Sequence, residues 1–137
     1  MIMCLKDDLM QTLTDFTWDH HFGLEIGQFK PDFRSCAIPE DNLIVINTNW
    51  KDKEEVPFSF AHEIGHFMNG DDGVRYYDSA TINNKCEYAA NLFAIRFILK
   101  FCERYSLHFT NPITFCEQFG VPTVLEYVVA NEIKISR

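Results

Sequence analysis

Between Phe58 and Gly70 the chain reads FSFAHEIGHFMNG, with His62-Glu63-Ile64-Gly65-His66 at its centre. On a helix, residues four apart stand on one face about a turn from each other, so the two imidazoles can close on a single ion. Glu63, beside the first of them, can turn its carboxylate toward a water on that ion. H-E-x-x-H is therefore the pattern of two metal ligands and a general base carried by one helix. Pro57 suits a first helical turn and Gly70 a helix stop. Phe60, Ile64, Phe67 and Met68 supply apolar surface for packing the helix into a core. With five His and ten Glu in the chain, chance yields this pattern in roughly one such sequence in a hundred. The motif alone thus leaves open a buried helix with two incidental histidines.

A catalytic zinc needs three protein ligands and one open position. Downstream, KCEYAANLFA at Lys85–Ala94 opens the most apolar helix of the chain. Glu87 is a charge on a segment otherwise lined by Ala89, Ala90, Phe93, Ala94, Phe97, Ile98 and Phe101. A carboxylate there needs a partner, and a metal is one. Capping of the first helical turn is the other reading. Asn91 shares a face with Glu87, and its amide oxygen can accept the free ring N–H of a metal-bound histidine. A packing or surface Asn is the plain alternative. Cys86 would point about 100° away around the helix and is not expected to be a ligand.

With both segments in view, the chain resembles the ImmA/IrrE family of metallopeptidases. The likeness rests on FAHEIGHFMNG at Phe60–Gly70 and on EYAANLFA at Glu87–Ala94, similar to that family's E-x-x-A-N-x-F-A segment. It extends more weakly to NLIVIN at Asn42–Asn47 and to FGVPTVLEYV at Phe119–Val128. The resemblance implies His62, His66 and Glu87 as ligands of one Zn²⁺ and Glu63 as catalytic base. It also implies a protein substrate, typically a helix-turn-helix repressor of a phage, mobile element or stress regulon. Two imidazoles and a carboxylate favour zinc, with manganese or iron as alternatives. The family's Leu-Met-Pro-like end after the second motif is replaced here by Ile98-Leu99-Lys100, which bears on the border of the cleft. A rival reading is a binding module that grips a repressor, or pairs with an antitoxin-like partner, without cutting it.

The expected fold is α+β and zincin-like, mainly helical, with a small, mostly antiparallel sheet beside the H-E-x-x-H helix. One domain is expected over residues 1–137, since this length can bury a core without staples. An apolar fraction of 47% with thirteen Phe argues for a dense interior. No apolar run approaches a membrane span, and the start MIMCLKDDLMQ has acids where a signal peptide needs bases. Five scattered cysteines without a C-x-x-C pair suit free thiols. A cytoplasmic protein is expected. A net charge of −8 without a basic cluster disfavours direct nucleic-acid binding.

Leu5, Leu9, Leu13, Phe16 and His20 fall at helical spacing, and His20-His21 reads as a helix end, not a metal site. Leu24, Ile26 and Phe29 alternate like a strand until Lys30-Pro31-Asp32 breaks it. Arg34–Ile38 and Leu43–Asn47 read as paired strands, the second covered on both faces. This hairpin, between Ile38 and Ile46, is placed to bind an extended substrate by strand addition. Asp71-Asp72-Gly73 reads as a turn and Val74–Tyr77 as a short strand. Tyr76, Tyr77 and His108 are candidate stabilisers of a developing oxyanion, against ordinary core, surface or loop roles. Pro112 opens a helix to Phe119, and a last helix to Ile133 is expected to turn Val124, Leu125, Val128, Val129 and Ile133 inward.

Overall fold

The structure, a computed structural model, describes residues 4–70 and 80–136. The expected turn at Asp71-Asp72-Gly73, the strand at Val74–Tyr77 and the candidates Tyr76 and Tyr77 lie outside the described residues. The first helix, α1 (Leu5–Asp19), buries Leu9, Leu13 and Thr17 and carries Asp7 and Asp8 in its first turn, where the helix dipole favours them. It ends as expected at the histidine pair. His20 stacks on Phe16 and its Nδ1 lies 2.9 Å from the Phe16 carbonyl, while His21 takes a left-handed φ of 59°.

Three strands follow, β1 (Gly23–Gly27), β2 (Cys36–Ile38) and β3 (Leu43–Asn47), in the order β1-β3-β2. β2 and β3 form the expected antiparallel hairpin, although β2 is shorter than the apolar pattern from Arg34 suggested. β1 joins parallel to β3, so the sheet is mixed and not mostly antiparallel. The central position of β3 explains its continuous apolar run, for Ile44, Val45 and Ile46 are all buried. Asn47 closes it as a buried hub. Its side chain accepts from the N–H groups of Phe29 and Asn49 and donates to the carbonyls of Lys30 and Phe33. That pins the loop holding Lys30-Pro31-Asp32.

α2 (Val56–Met68) crosses this sheet and packs mainly on α3 (Ala80–Arg104). Phe60 and Ile64 are fully buried, whereas Met68, expected inward, is 43% exposed, because the helix is leaving the core at its last turn. α3 contributes Ala90, Ala94, Ile95, Ile98, Phe101 and Cys102 to the interior. α4 (Pro112–Phe119) is capped by the Asn111 side chain, which accepts the Ile113 N–H at 2.9 Å. A single 3₁₀ turn, Thr123–Leu125, then leads into α5 (Glu126–Ile135). Leu125, Val128, Val129 and Ile133 are buried as expected, but Val124 is 77% exposed. The 3₁₀ turn changes the angular spacing at this point and swings Val124 outward. Arg96 of α3 ties the pair down through a 2.7 Å bond from Nε to the buried Glu132 carboxylate. Among the described residues no helix is long and apolar enough to cross a membrane.

The turn between α4 and α5 rests directly on the 3₁₀ turn Lys53–Glu55 that precedes α2. Gly120 has φ 65°, and a Cβ there would collide with the Glu54 carbonyl. Gly70 also has a positive φ, 71°, yet a Cβ there meets open space. Gly70→Ala should therefore destabilise the protein by only about 1 kcal/mol, the conformational term alone. Gly120→Ala should lose about 2–4 kcal/mol, because backbone must also move. Urea unfolding of both variants checks this, and equal losses would show that the contact at Glu54 carries no weight.

Candidate metal centre

The site forms where α2 and α3 approach most closely. A Cβ on Gly65 would lie 3.0 Å from both Cα and O of Ala90 and 3.2 Å from Cβ of Phe93. Only a hydrogen on one side and a methyl on the other let the two backbones come this near. Glu87 stands one turn before Ala90 and Asn91 directly after it, so the crossing delivers both against His62 and His66.

The resulting distances are short. Nε2 of His62 lies 3.1 Å from Nε2 of His66 and 3.0 Å from Oε2 of Glu87. Nε2 of His66 lies 3.3 Å from Oε1 of Glu87. Ligands about 2.0–2.1 Å from a tetrahedral zinc stand about 3.3 Å from one another, so these atoms fit such an ion with slight opening. Asn91 sets the ring chemistry, since its Oδ1 lies 2.8 Å from His62 Nδ1. An amide oxygen can only accept, so Nδ1 carries the proton and Nε2 presents a lone pair toward His66 and Glu87. The capping alternative for Glu87 falls away, because α3 begins at Ala80, two turns earlier, beyond the reach of the helix end.

Glu63 sits to one side. His62, Glu63 and His66 each bring a donor atom within 4.8 Å of the others, a group able to hold a metal ion. Glu63 stands farther from His62 than Glu87 does, with Oε2 4.0 Å from His62 Nε2. Burial pushes the Glu63 carboxyl up to about 7, and the charge of Glu87 adds to this, while His62, His66 and a backbone hydrogen bond from Ala37 pull it down. A carboxyl near neutrality, beside imidazoles, is suited to exchanging a proton.

The cleft over these groups encloses about 740 Å³, room for several peptide residues. One wall is α2, with Ser59, His62, Glu63 and His66, and the other is the outer edge of β2. Pro122 from the α4–α5 turn also borders it, which accounts for the sequence signal at Phe119–Val128. Cys36 lines the wall too. Burial pushes its thiol up, with Glu63 adding, so it faces the cleft as a neutral thiol. Ala37 could not be read from the sequence as a partner of Glu63, because that contact is made by backbone. Trp50 and Arg34 also line the cleft, and nothing in their local sequence marks them. His108 is exposed in the loop after α3, away from the cleft lining, so it is not brought to the site. Cys86 does not line the cleft either.

Asn91→Ala should leave the fold intact and lower zinc affinity by about 10–100-fold, as measured by competition with a chromogenic chelator. An unchanged affinity would make Asn91 a packing residue only.

Comparison with curated proteins finds no match, and comparison with solved structures likewise finds none. The family model described as IrrE N-terminal-like domain, Peptidase_M78, matches residues 11–124. That span includes both helices of the site, all three strands and the α4–α5 turn. The chain thus belongs to the IrrE N-terminal-like family of metallopeptidases, with a zincin-like α+β fold.

Proposed function

We propose that the protein is a zinc-dependent endopeptidase whose substrate is another protein, a helix-turn-helix repressor of a phage, mobile element or stress regulon. His62, His66 and Glu87 hold the ion. When bound, zinc supplies Lewis-acid polarisation of the scissile carbonyl and makes a water molecule more acidic. Glu63 takes the proton of the attacking water and passes it to the departing amine nitrogen. The Ala37 N–H holds the Glu63 carboxylate in place, and the neighbouring edge of β2 receives the substrate backbone in extended form. Cytoplasmic action suits the free cysteines Cys4, Cys36, Cys86, Cys102 and Cys116. With a net charge of −8, any effect on transcription comes through the partner and not through contact with DNA.

The observation that carries this reading is the standing of Glu63. Glu87, 3.0 and 3.3 Å from the two imidazole nitrogens, stands near enough to serve as the third ligand. A structural site or a gripping module has no use for a second, buried carboxyl beside it, and hydrolysis does.

Co-expression with the helix-turn-helix repressor encoded nearest to it, with sequencing of any new fragment end, tests the reading. Glu63→Gln should retain one zinc and the partner while cleavage falls by at least about 10³-fold. If wild type and variant relieve repression equally, the protein is a binding module.

A second expectation concerns pH. In the metal-free protein the Glu63 carboxyl holds its proton more tightly folded, at about 7, than unfolded, at 4.5. Its contribution to stability is complete below pH 4.5 and is lost as the pH rises through about 7. Metal-free wild type should therefore lose Tm relative to Glu63→Gln across that window, and zinc should reduce the difference by favouring the carboxylate. Parallel pH profiles would contradict the assignment.

A further inference from the structure

Beyond the hydrolytic groups, we propose that Arg34 makes the cleft selective for a substrate carboxylate, two to three residues from the scissile bond, at the end facing the first turn of α2. The inference rests on the peptidase reading for the meaning of "scissile", but its binding half stands without it.

Position comes first. Arg34 lies three residues before Ala37, the residue bonded to Glu63, which is about 10 Å along an extended chain. Ser35 is anchored there, since its Oγ accepts the Asn47 N–H at 2.9 Å at the end of β3. On the opposite wall Glu55 precedes His62 by seven residues, again about 10 Å along a helix. Both walls thus carry the cleft to the same distance from the metal-binding groups.

Arg34 is also held in place. Its guanidinium carbon stands 5.4 Å from the centroid of the Trp50 ring, within cation–π range. The ring is fixed by its own N–H, which donates to Glu55 Oε1 at 3.1 Å, immediately before α2 begins. The Lys51 ammonium lies 5.2 Å from the same centroid. Two cations therefore share one indole at this end.

The cleft is lined by Glu40, Glu55, Glu63 and Glu87, and among the described residues Arg34 is its only Lys or Arg. Among those residues no carboxylate forms an ion pair with it. A guanidinium on the wall of an otherwise acidic cleft, paired with no carboxylate among the described residues, has fork-shaped edges free to take one. A Lys or Arg in the same place on the substrate would be repelled by both cations. The carboxylate has two sources, an Asp or Glu side chain or the C-terminus of the substrate.

The test uses the zinc-loaded full chain and a set of blocked peptides carrying Glu, Gln or Lys at successive positions around one cleavable bond. Each is made with a free and with an amidated C-terminus. Wild type should prefer Glu over Gln by about five-fold at one position, the upper range for an exposed ion pair. Arg34→Gln should abolish that preference and Arg34→Glu should invert it toward Lys, with other positions unchanged. A preference for the free over the amidated C-terminus that Arg34→Gln removes assigns the chain terminus, and a Glu-over-Gln preference that survives amidation assigns the side chain. A wild type without preference, or a preference that survives Arg34→Gln, overturns the proposal. The binding half is read separately. Trp18 is 73% exposed and the chain has two Trp, so Trp18→Phe in a Glu63→Gln background leaves Trp50 as sole reporter. Its fluorescence should change with Glu peptides, and Arg34→Gln should remove the response. Binding of this kind without cleavage in any variant would sink the peptidase reading and keep this one. No Trp50 response to any carboxylate peptide would sink the Arg34 proposal.

Discussion

How closely two helices can approach governs this molecule. Gly65 and Ala90 meet with almost no side chain between them, and a Cβ on Gly65 would sit 3.0 Å from the Ala90 backbone. Larger residues would push the axes apart toward ordinary helix spacing. A shift of even 1–2 Å would separate Glu87 from the imidazoles and leave three polar side chains half-buried without a common partner. Among the described residues the most extensive helix–helix contact is thus also the one that brings His62, His66 and Glu87 together. The core residues Phe60, Ile64, Ala94 and Ile98 hold it by excluding water on both sides of the crossing.

The remainder of the chain makes the second wall and fixes its height. β2 is held by β3, which is held by β1 and by the hydrogen bonds of Asn47. The α4–α5 pair presses Gly120 onto the Glu54 carbonyl, setting the start of α2 and bringing Pro122 to the rim. Between the walls the electrostatics are uneven by design of burial. Glu87 is 38% exposed at its side chain and pairs with both imidazoles, whereas Glu63 is 13% exposed and pushed up to about 7. Glu63, the more buried of the two, is thus the carboxyl that burial holds near neutrality, as a proton-exchanging group requires.

Much of this was legible in the sequence, for reasons that differ by residue. His62 and His66 were readable because their relation is local, set by helical period alone. Glu87 required a contact across 24 intervening positions from His62, and only its apolar surroundings and the EYAANLFA segment pointed to it. The capping alternative persisted because the sequence alone does not show that α3 is already helical at Ala80, two turns before Glu87. Leu9, Leu13 and Ile44–Ile46 declared themselves through periodicity. Val124 and Met68 did not follow it, since a 3₁₀ turn and a departing helix end change which way an apolar side chain faces. The parallel pairing of β1 was invisible, because strand direction depends on the chain's path between Gly27 and Leu43 and not on either strand's pattern. The Ala37 contact to Glu63 lies in the backbone, where side-chain identity says nothing, and the Arg34–Trp50–Glu55 arrangement needs three-dimensional closure of a loop.

The central claim is a three-ligand set drawn from two helices, and X-ray absorption at the zinc edge tests it most directly. The account predicts one zinc per chain, with only nitrogen and oxygen neighbours at about 2.0–2.2 Å and two imidazole signatures in the outer shells. It predicts further that Glu87→Ala removes one light-atom neighbour or replaces it with solvent while weakening binding. A sulfur neighbour at about 2.3 Å, or a first shell and affinity unchanged by Glu87→Ala, would contradict it.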